Sequence, residues 1–68
     1  MIEIKIDTEY IKLDQFLKYE GLINTGGEAK NVIMEGKVLV NGVVEKARGK
    51  KLRPEDVIEF EGRKYKIV

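Results

Sequence analysis

The stretch KVLVNGVVE, residues 37–45, places Asn41-Gly42 between two runs of β-branched residues. Asn-Gly is the dipeptide that two-residue hairpin loops prefer, because both central residues of such a turn need a positive φ. Val and Leu on either side fit a pleated, half-buried strand. This stretch therefore predicts a β-hairpin, and it is the strongest local structural signal in the chain.

Upstream of the hairpin the apolar period changes from two to that of a helix. Leu13, Phe16 and Leu17 lie at i, i+3 and i+4, which is the apolar stripe of a short amphipathic helix. Gly21 then provides a C-terminal stop. The pattern predicts a first helix that begins near residue 12 and ends at this glycine.

A second helix is predicted from Gly26 to Glu35 and is closed by Gly36. Thr25 is a preferred N-cap and Glu28 follows three positions later, which is the form of a capping box. The connection between the two helices is short, so they should lie side by side or cross.

Strands are predicted at both ends of the chain. MIEIKID, residues 1–7, alternates apolar and polar residues, and VIEF and KYKIV are two further strands joined at Glu61-Gly62-Arg63. Arg53-Pro54-Glu55-Asp56 is typical of a turn. The fold class is α+β: two short packed helices against a small antiparallel sheet with a β-hairpin, in a single domain spanning 1–68.

Composition limits the chemistry. The 68 residues include no cysteine, histidine, serine or tryptophan, so Ser/His and Cys/His catalysis and a His/Cys zinc site are excluded. We expect no catalytic residues, no metal and no cofactor, hence a binding module rather than an enzyme. The absence of cysteine fits a reducing compartment, and the start of the chain lacks the apolar segment of a secretory signal. We expect a cytoplasmic protein without a membrane span.

The net charge is only +1, but its distribution is uneven. The basic run, KARGKKLR at residues 46–53, has five basic residues and no acid, whereas the remainder has eight basic and twelve acidic residues. Such a concentration is either a solvated flexible loop or an electrostatic footprint for nucleic acid. Charge alone does not decide between them.

The order KLDQFL, TGGEAK, EGKVLVNGVV and KLRPEDVIEF resembles the S-four domain, the small RNA-binding module named after ribosomal protein S-four. The resemblance covers residues 11–60, and the TGG-x-AK stretch and the Arg-Gly-x-Lys-Leu run are similar to the free-standing YaaA/YbcJ-type proteins of bacteria. Two positions depart from the usual family pattern, because Lys12 and Gly26 stand where arginines are usual. Lys12 keeps the charge but loses the bidentate fork.

The resemblance implies an S-four-like (alpha-L) fold, a monomer, and a partner that is structured ribosomal RNA or a ribosomal subunit. Family residues carried over to this chain are Lys12, Thr25, Lys30, Asn31, Lys37 and Asn41. Asn41 is equally explained by turn chemistry.

The residues themselves suggest two ways to bind phosphate. Gly26 and Gly27 open a helix, where free backbone N–H groups can hold a phosphate close to the backbone; plain capping is the alternative. In the basic run, contacts would come from Arg48, Lys50, Lys51 and Arg53.

The aromatic residues favour recognition of RNA by its shape. Phe16 and Phe60 belong to apolar patterns and should lie in the core, while Tyr10 and Tyr19 could be either core or surface. With so few stacking candidates, recognition of folded or double-stranded RNA by shape is favoured over base stacking. A protein–protein interaction module, with RNA binding incidental, is the competing hypothesis.

Overall fold

The computed structural model describes all 68 residues. Along the chain the elements are β1 (Ile2–Ile4), β2 (Ile11–Lys12), α1 (Leu13–Tyr19), α2 (Gly26–Met34), β3 (Val38–Val40), β4 (Val43–Val44), β5 (Lys51–Leu52), β6 (Val57–Phe60) and β7 (Arg63–Ile67). Five strands form one sheet in the order β1-β7-β6-β3-β4, and β2 and β5 form a separate two-stranded ladder. The predicted α+β class, with a helix pair against a sheet rich in antiparallel pairs, is confirmed.

The hairpin forms with its turn at the predicted dipeptide. Leu39 lies opposite Val44 and Val40 opposite Val43, and Asn41 and Gly42 have φ values of +53° and +82°. Two positive φ values in a two-residue loop match the right-handed twist of the flanking strands. Glu61-Gly62 forms a second turn of this kind between β6 and β7; Arg63 was predicted in that turn but is the first residue of β7, opposite Phe60.

One pairing in the sheet is parallel, although the sequence predicted an antiparallel sheet. β1 runs parallel to β7, with Ile2 opposite Tyr65 and Ile4 opposite Ile67. A period-two pattern specifies which side chains face the core but not which strand becomes the partner or in which direction it runs. Only Ile4 of the predicted isoleucine face is buried; Ile2 is 46% exposed at the sheet edge, and Ile6 is half-buried beyond the strand.

Both helices end where glycine predicted they would. At the end of α2, the N–H of Gly36 donates to the carbonyl of Ile33 and the N–H of Lys37 donates to that of Val32. With Gly36 at φ +79°, this is a Schellman motif, which satisfies carbonyls that the helix leaves free. Gly21 and Leu22 make the same pair of bonds at the end of α1.

The helices cover one face of the sheet and share a core of fourteen buried residues. Leu13, Phe16 and Leu17 of α1 are fully buried, and the Phe16 ring meets Tyr65 edge-on at 5.7 Å between centroids. Phe16 and Phe60 lie in the core as predicted. No helix is long and apolar enough to cross a membrane, since the longest, α2, has nine residues.

Candidate nucleic-acid interface

The β2–β5 ladder carries basic residues on its outer side. Ile11 lies opposite Leu52 and Lys12 opposite Lys51. Leu52 is fully buried and Ile11 half-buried, so this pair faces the core. Because side chains alternate along a strand, the other face carries Lys12 and Lys51, together with the flanking residues of the same parity. We call this surface the ladder face: Tyr10, Lys12, Lys51 and Arg53.

The basic run is hydrogen-bonded onto the start of α1. The N–H of Leu13 donates to the carbonyl of Lys50 at 2.8 Å, and that of Asp14 donates to the carbonyl of Arg48 at 3.0 Å. These are two of the N–H groups that the first turn of a helix leaves without an internal acceptor. Lys12, the N-cap, makes no side-chain cap, so the basic run supplies the cap from its backbone.

This anchoring distinguishes the two interpretations of the basic run. Its backbone is held by α1, by the ladder and by buried Leu52, so it is not the flexible loop that was one alternative. All five of its basic side chains are nevertheless exposed. The structure therefore presents cationic side chains from a fixed backbone.

No ion pair involves the basic side chains of the ladder face. The ion pairs of the molecule are Lys37 with Glu35 and Lys66 with Glu55, each at 3.3 Å, and neither involves the ladder or the basic run. Lys12 and Lys51 are instead direct cross-strand partners. Like charges in that position destabilise a sheet, so the arrangement favours an anion above them.

Tyr10 lies among these cations. Its ring centroid is 4.9 Å from Nζ of Lys51 and 5.7 Å from Cζ of Arg53, within the range of cation–π attraction. The Thr8 hydroxyl donates to the Tyr10 carbonyl at 2.9 Å. This half-buried position resolves the question left open for Tyr10, whereas Tyr19 is 76% exposed.

Asp56 connects the basic run to the hairpin turn. One carboxylate oxygen accepts from the N–H of Arg53 at 2.8 Å and the other from Nδ2 of Asn41 at 3.1 Å. The Asn41 Oδ1 accepts from the N–H of Val57 at 2.9 Å. Asn41 thus has a structural role. Its predicted contact with RNA would use the second N–H of its side-chain amide, because the first is bonded to Asp56. The predicted turn at residues 53–56 is closed by the N–H of Asp56 donating to the carbonyl of Arg53.

The start of α2 is capped as predicted on one side only. The Glu28 N–H donates to Oγ1 of Thr25 at 3.1 Å, but the Glu28 carboxylate accepts from the N–H of Asn24 at 2.9 Å rather than from that of Thr25. The capping box is therefore shifted by one residue. Thr25 has the extended backbone usual for an N-cap, with φ −135° and ψ 161°.

Neither glycine of this first turn is required by packing. A Cβ added at Gly26 would meet nothing within 4 Å, and one at Gly27 would meet only the Thr25 hydroxyl at 3.8 Å. Neither has a positive φ, and their N–H groups have no acceptor within the protein. The two glycines thus leave their unpaired backbone N–H groups accessible, although glycine has a low helix propensity.

The twelve predicted contact residues are all exposed and fall into separate groups. The first is the ladder group, formed by Lys12, Arg48, Lys50, Lys51 and Arg53, with Asn41 joined to it through Asp56. The second is the α2 strip, which lies on the exposed part of a helix whose Ala29 and Ile33 are buried and is formed by Thr25, Gly26, Gly27, Lys30 and Asn31.

Lys37 belongs to neither group and is paired with Glu35 at the other end of α2. Nine residues make that helix about 13 Å long, which separates Lys37 from the helix start. The sequence analysis did not assign Tyr10 and Asp56 to the interface. The alternation of Tyr10, Ile11 and Lys12 could have indicated that Tyr10 lies on the same face as Lys12.

The interface is an open surface rather than a cavity. The two concavities of the molecule lie around the β6–β7 turn and are lined by residues such as Phe60, Arg63 and Lys64. Neither includes any of the twelve predicted residues. No group of three acidic residues is arranged to hold a metal ion.

The helix pair on a largely antiparallel sheet with a hairpin is the architecture of an alpha-L module. Residues 4–68 match the family model described as the S4 domain, which is the S-four domain. The chain belongs to the S-four domain family.

Named relatives agree with this assignment. Over 59 residues the chain is 51% identical to the probable ribosome maturation protein RlbA of Bacillus subtilis, covering 87% of this chain and 83% of the relative. It is 34% identical over 59 residues to the putative RNA-binding protein YbcJ of Escherichia coli, covering 87% and 84%.

The solution structure of the E. coli YbcJ protein, described as revealing an alpha-L motif involved in RNA-binding, superposes with a TM-score of 0.72 at 30% identity. The match covers 100% of this chain and 87% of that one. The predicted likeness to the YbcJ-type S-four proteins is confirmed.

Proposed function

We propose that this protein binds structured RNA without catalysing a reaction, and that the ladder group is the main contact surface. The observation that carries the proposal is the pairing of Lys12 with Lys51 on a backbone fixed by α1, with neither lysine in an ion pair. The repulsion between the two lysines destabilises the free protein. A phosphate bound between them would relieve that repulsion. The names of the relatives, a ribosome maturation protein and an RNA-binding protein, support the same conclusion.

Phosphate contacts of this kind give affinity with little sequence readout. The aromatic residues do not form a base-stacking platform. Phe16, Phe60 and Tyr65 are buried, which leaves Tyr19 as a single exposed ring, and Tyr10 is engaged with cations. The target is therefore folded or double-stranded RNA that the protein recognises by its shape.

The α2 strip is a second contact surface in this proposal. The N–H groups of Gly26 and Gly27 would receive a backbone phosphate at the positive end of the helix, and Lys30 lies one turn further on the same side. Thr25, Asn31, Lys37 and Asn41 would add polar contacts around these two surfaces.

The finer assignment is also part of the proposal. The relative named for ribosome maturation favours structured ribosomal RNA, or a ribosomal subunit during assembly, as the partner. We also propose that the protein is cytoplasmic, which its lack of cysteine supports, and that it is a monomer. Neither a cofactor nor a small-molecule substrate enters this function.

A filter-binding titration against a ribosomal RNA fragment in increasing salt tests the proposal. We expect Lys50→Ala with Lys51→Ala to weaken binding to every RNA tested and to reduce the slope of log affinity against log salt by about two. The matched control is Lys64→Ala, an exposed lysine on β7 outside both contact surfaces. No affinity at low salt, or affinity that salt does not alter, would refute RNA binding.

A protein–protein interaction module is the second candidate. It is favoured by Gly26 in place of the usual family arginine and by exposed apolar side chains at Met34, Val43 and Val44, which are 58%, 69% and 46% exposed. Charge reversal in residues 46–53 would then leave partner capture intact, whereas it should abolish binding to RNA.

A further inference from the structure

We infer that Tyr10 is a positioning residue for RNA binding, which holds Lys51 and Arg53 in the orientation that contacts phosphate. The inference rests on the proposed function, because it assigns a role within the same surface. Tyr10 was not among the residues that the sequence or the family pattern marked for binding.

The geometry follows from the ladder register. Since Ile11 lies opposite Leu52 and Lys12 opposite Lys51, the next antiparallel position places Tyr10 beside Arg53, with Lys51 on the diagonal. All three side chains then share the outer face. The ring accordingly lies within 4.9 Å of Nζ of Lys51 and 5.7 Å of Cζ of Arg53.

Long basic side chains lose much rotamer freedom when they bind, and that loss reduces affinity. Neither Lys51 nor Arg53 has a carboxylate to orient its side chain, so the tyrosine ring is the group that restricts them. Tyr10 is itself held by its half-buried position and by the Thr8 hydroxyl on its carbonyl. A ring that restrains two cations before RNA arrives lowers the entropy lost on binding.

The test compares Tyr10→Leu with Tyr10→Phe, using a synthetic RNA stem-loop as the probe. Tyr10→Leu should weaken binding about threefold to tenfold, because the two cations would regain rotamer freedom that RNA binding must then remove. Tyr10→Phe keeps the ring and should stay within about twofold of the parent protein. The matched control is Tyr19→Leu, which removes an exposed tyrosine without a cation partner and should not change the affinity.

A second readout does not depend on RNA. In the free protein, NMR should show the side-chain methylene protons next to the charged groups of Lys51 and Arg53 shifted upfield by the ring current of Tyr10. Tyr10→Leu should abolish that shift and Tyr10→Phe should keep it. If Tyr10 had only a structural role, Tyr10→Leu would lower the unfolding temperature, and the parent protein would not show upfield shifts confined to Lys51 and Arg53.

The outcomes separate the inference from the proposed function. If Lys51→Ala weakens RNA binding but Tyr10→Leu does not, the positioning role is refuted and the RNA-binding surface stands. If Lys51→Ala and Arg53→Ala have no effect, the proposed surface itself is wrong. Equal losses in Tyr10→Phe and Tyr10→Leu would also overturn the inference. Should Tyr10→Leu fail to fold, the absence of upfield shifts in the parent protein would be decisive against it.

Discussion

On the outer face of the five-stranded sheet, register partners carry opposite charges: Glu3 lies opposite Lys66, and Glu59 opposite Lys64. On the outer face of the ladder, Lys12 lies opposite Lys51. In an antiparallel pair, opposite charges at facing positions favour the pairing by about a fraction of a kcal/mol and like charges disfavour it by a similar amount. The comparison teaches that the lysines of the sheet face have acidic neighbours in the free protein, where Lys66 also pairs with Glu55 at 3.3 Å. Lys12 and Lys51 face each other instead and would meet an opposite charge only in a bound anion.

The largest effect should come from removing the anchor that holds the ladder against the core. Leu52→Ala deletes a fully buried side chain and should lower the free energy of unfolding by about 2–5 kcal/mol. Urea denaturation measures this loss. Val43→Ala, at a position that is 69% exposed, is the control and should change stability little. Equal effects of the two substitutions would mean that the ladder is not packed as described.

Charge reversal should distinguish the ladder group from the sheet face through RNA affinity. Lys50→Glu with Lys51→Glu should weaken binding to a ribosomal RNA fragment by more than about tenfold, because attractive phosphate contacts become repulsive. Lys64→Glu with Lys66→Glu reverses two charges on the sheet face and should have a much smaller effect. A filter-binding assay at low salt measures both. Similar losses on the two faces would show that net charge, rather than the ladder, determines affinity.

The glycines of α2 provide a smaller and more local test. Gly26→Gln should raise helix stability by about 0.5–1 kcal/mol, since nothing lies within 4 Å of the added Cβ. If a phosphate approaches these N–H groups, the same variant should bind RNA more weakly. Thermal unfolding and filter binding, run on one preparation, measure the two effects. If Gly26→Gln is more stable but binds RNA with unchanged affinity, the start of α2 is only capped and does not contact phosphate.

The turns, helix ends and core positions of this fold were predictable because each is determined by residues close together in the sequence. The Asn41-Gly42 turn, the Gly21 and Gly36 helix stops and the buried Phe16 each depend on neighbouring residues or on one apolar face. The parallel pairing of β1 with β7 could not be predicted in this way, because its register joins residues more than sixty positions apart. A strand pattern does not contain information about its partner.

The site was predictable in composition but not in arrangement. The basic run was evident as five cations without an acid, yet its docking on α1 depends on backbone carbonyls, which every residue type has. The cross-strand position of Lys51 opposite Lys12 and the place of Tyr10 between cations also follow only from the folded register. Asp56 was predicted only as a turn residue, and its bond to Asn41 spans fifteen positions.

Lys12→Glu tests the central claim most directly, because it converts the ladder pair into the kind of pair found on the sheet. The introduced carboxylate would face Lys51, so the free energy of unfolding should rise by about 0.2–1 kcal/mol. Affinity for the RNA fragment should fall at the same time, with a shallower salt dependence. Urea denaturation and salt-dependent filter binding on this single variant give both numbers. Higher stability with weaker binding is the result predicted here, and undiminished RNA affinity would contradict the account.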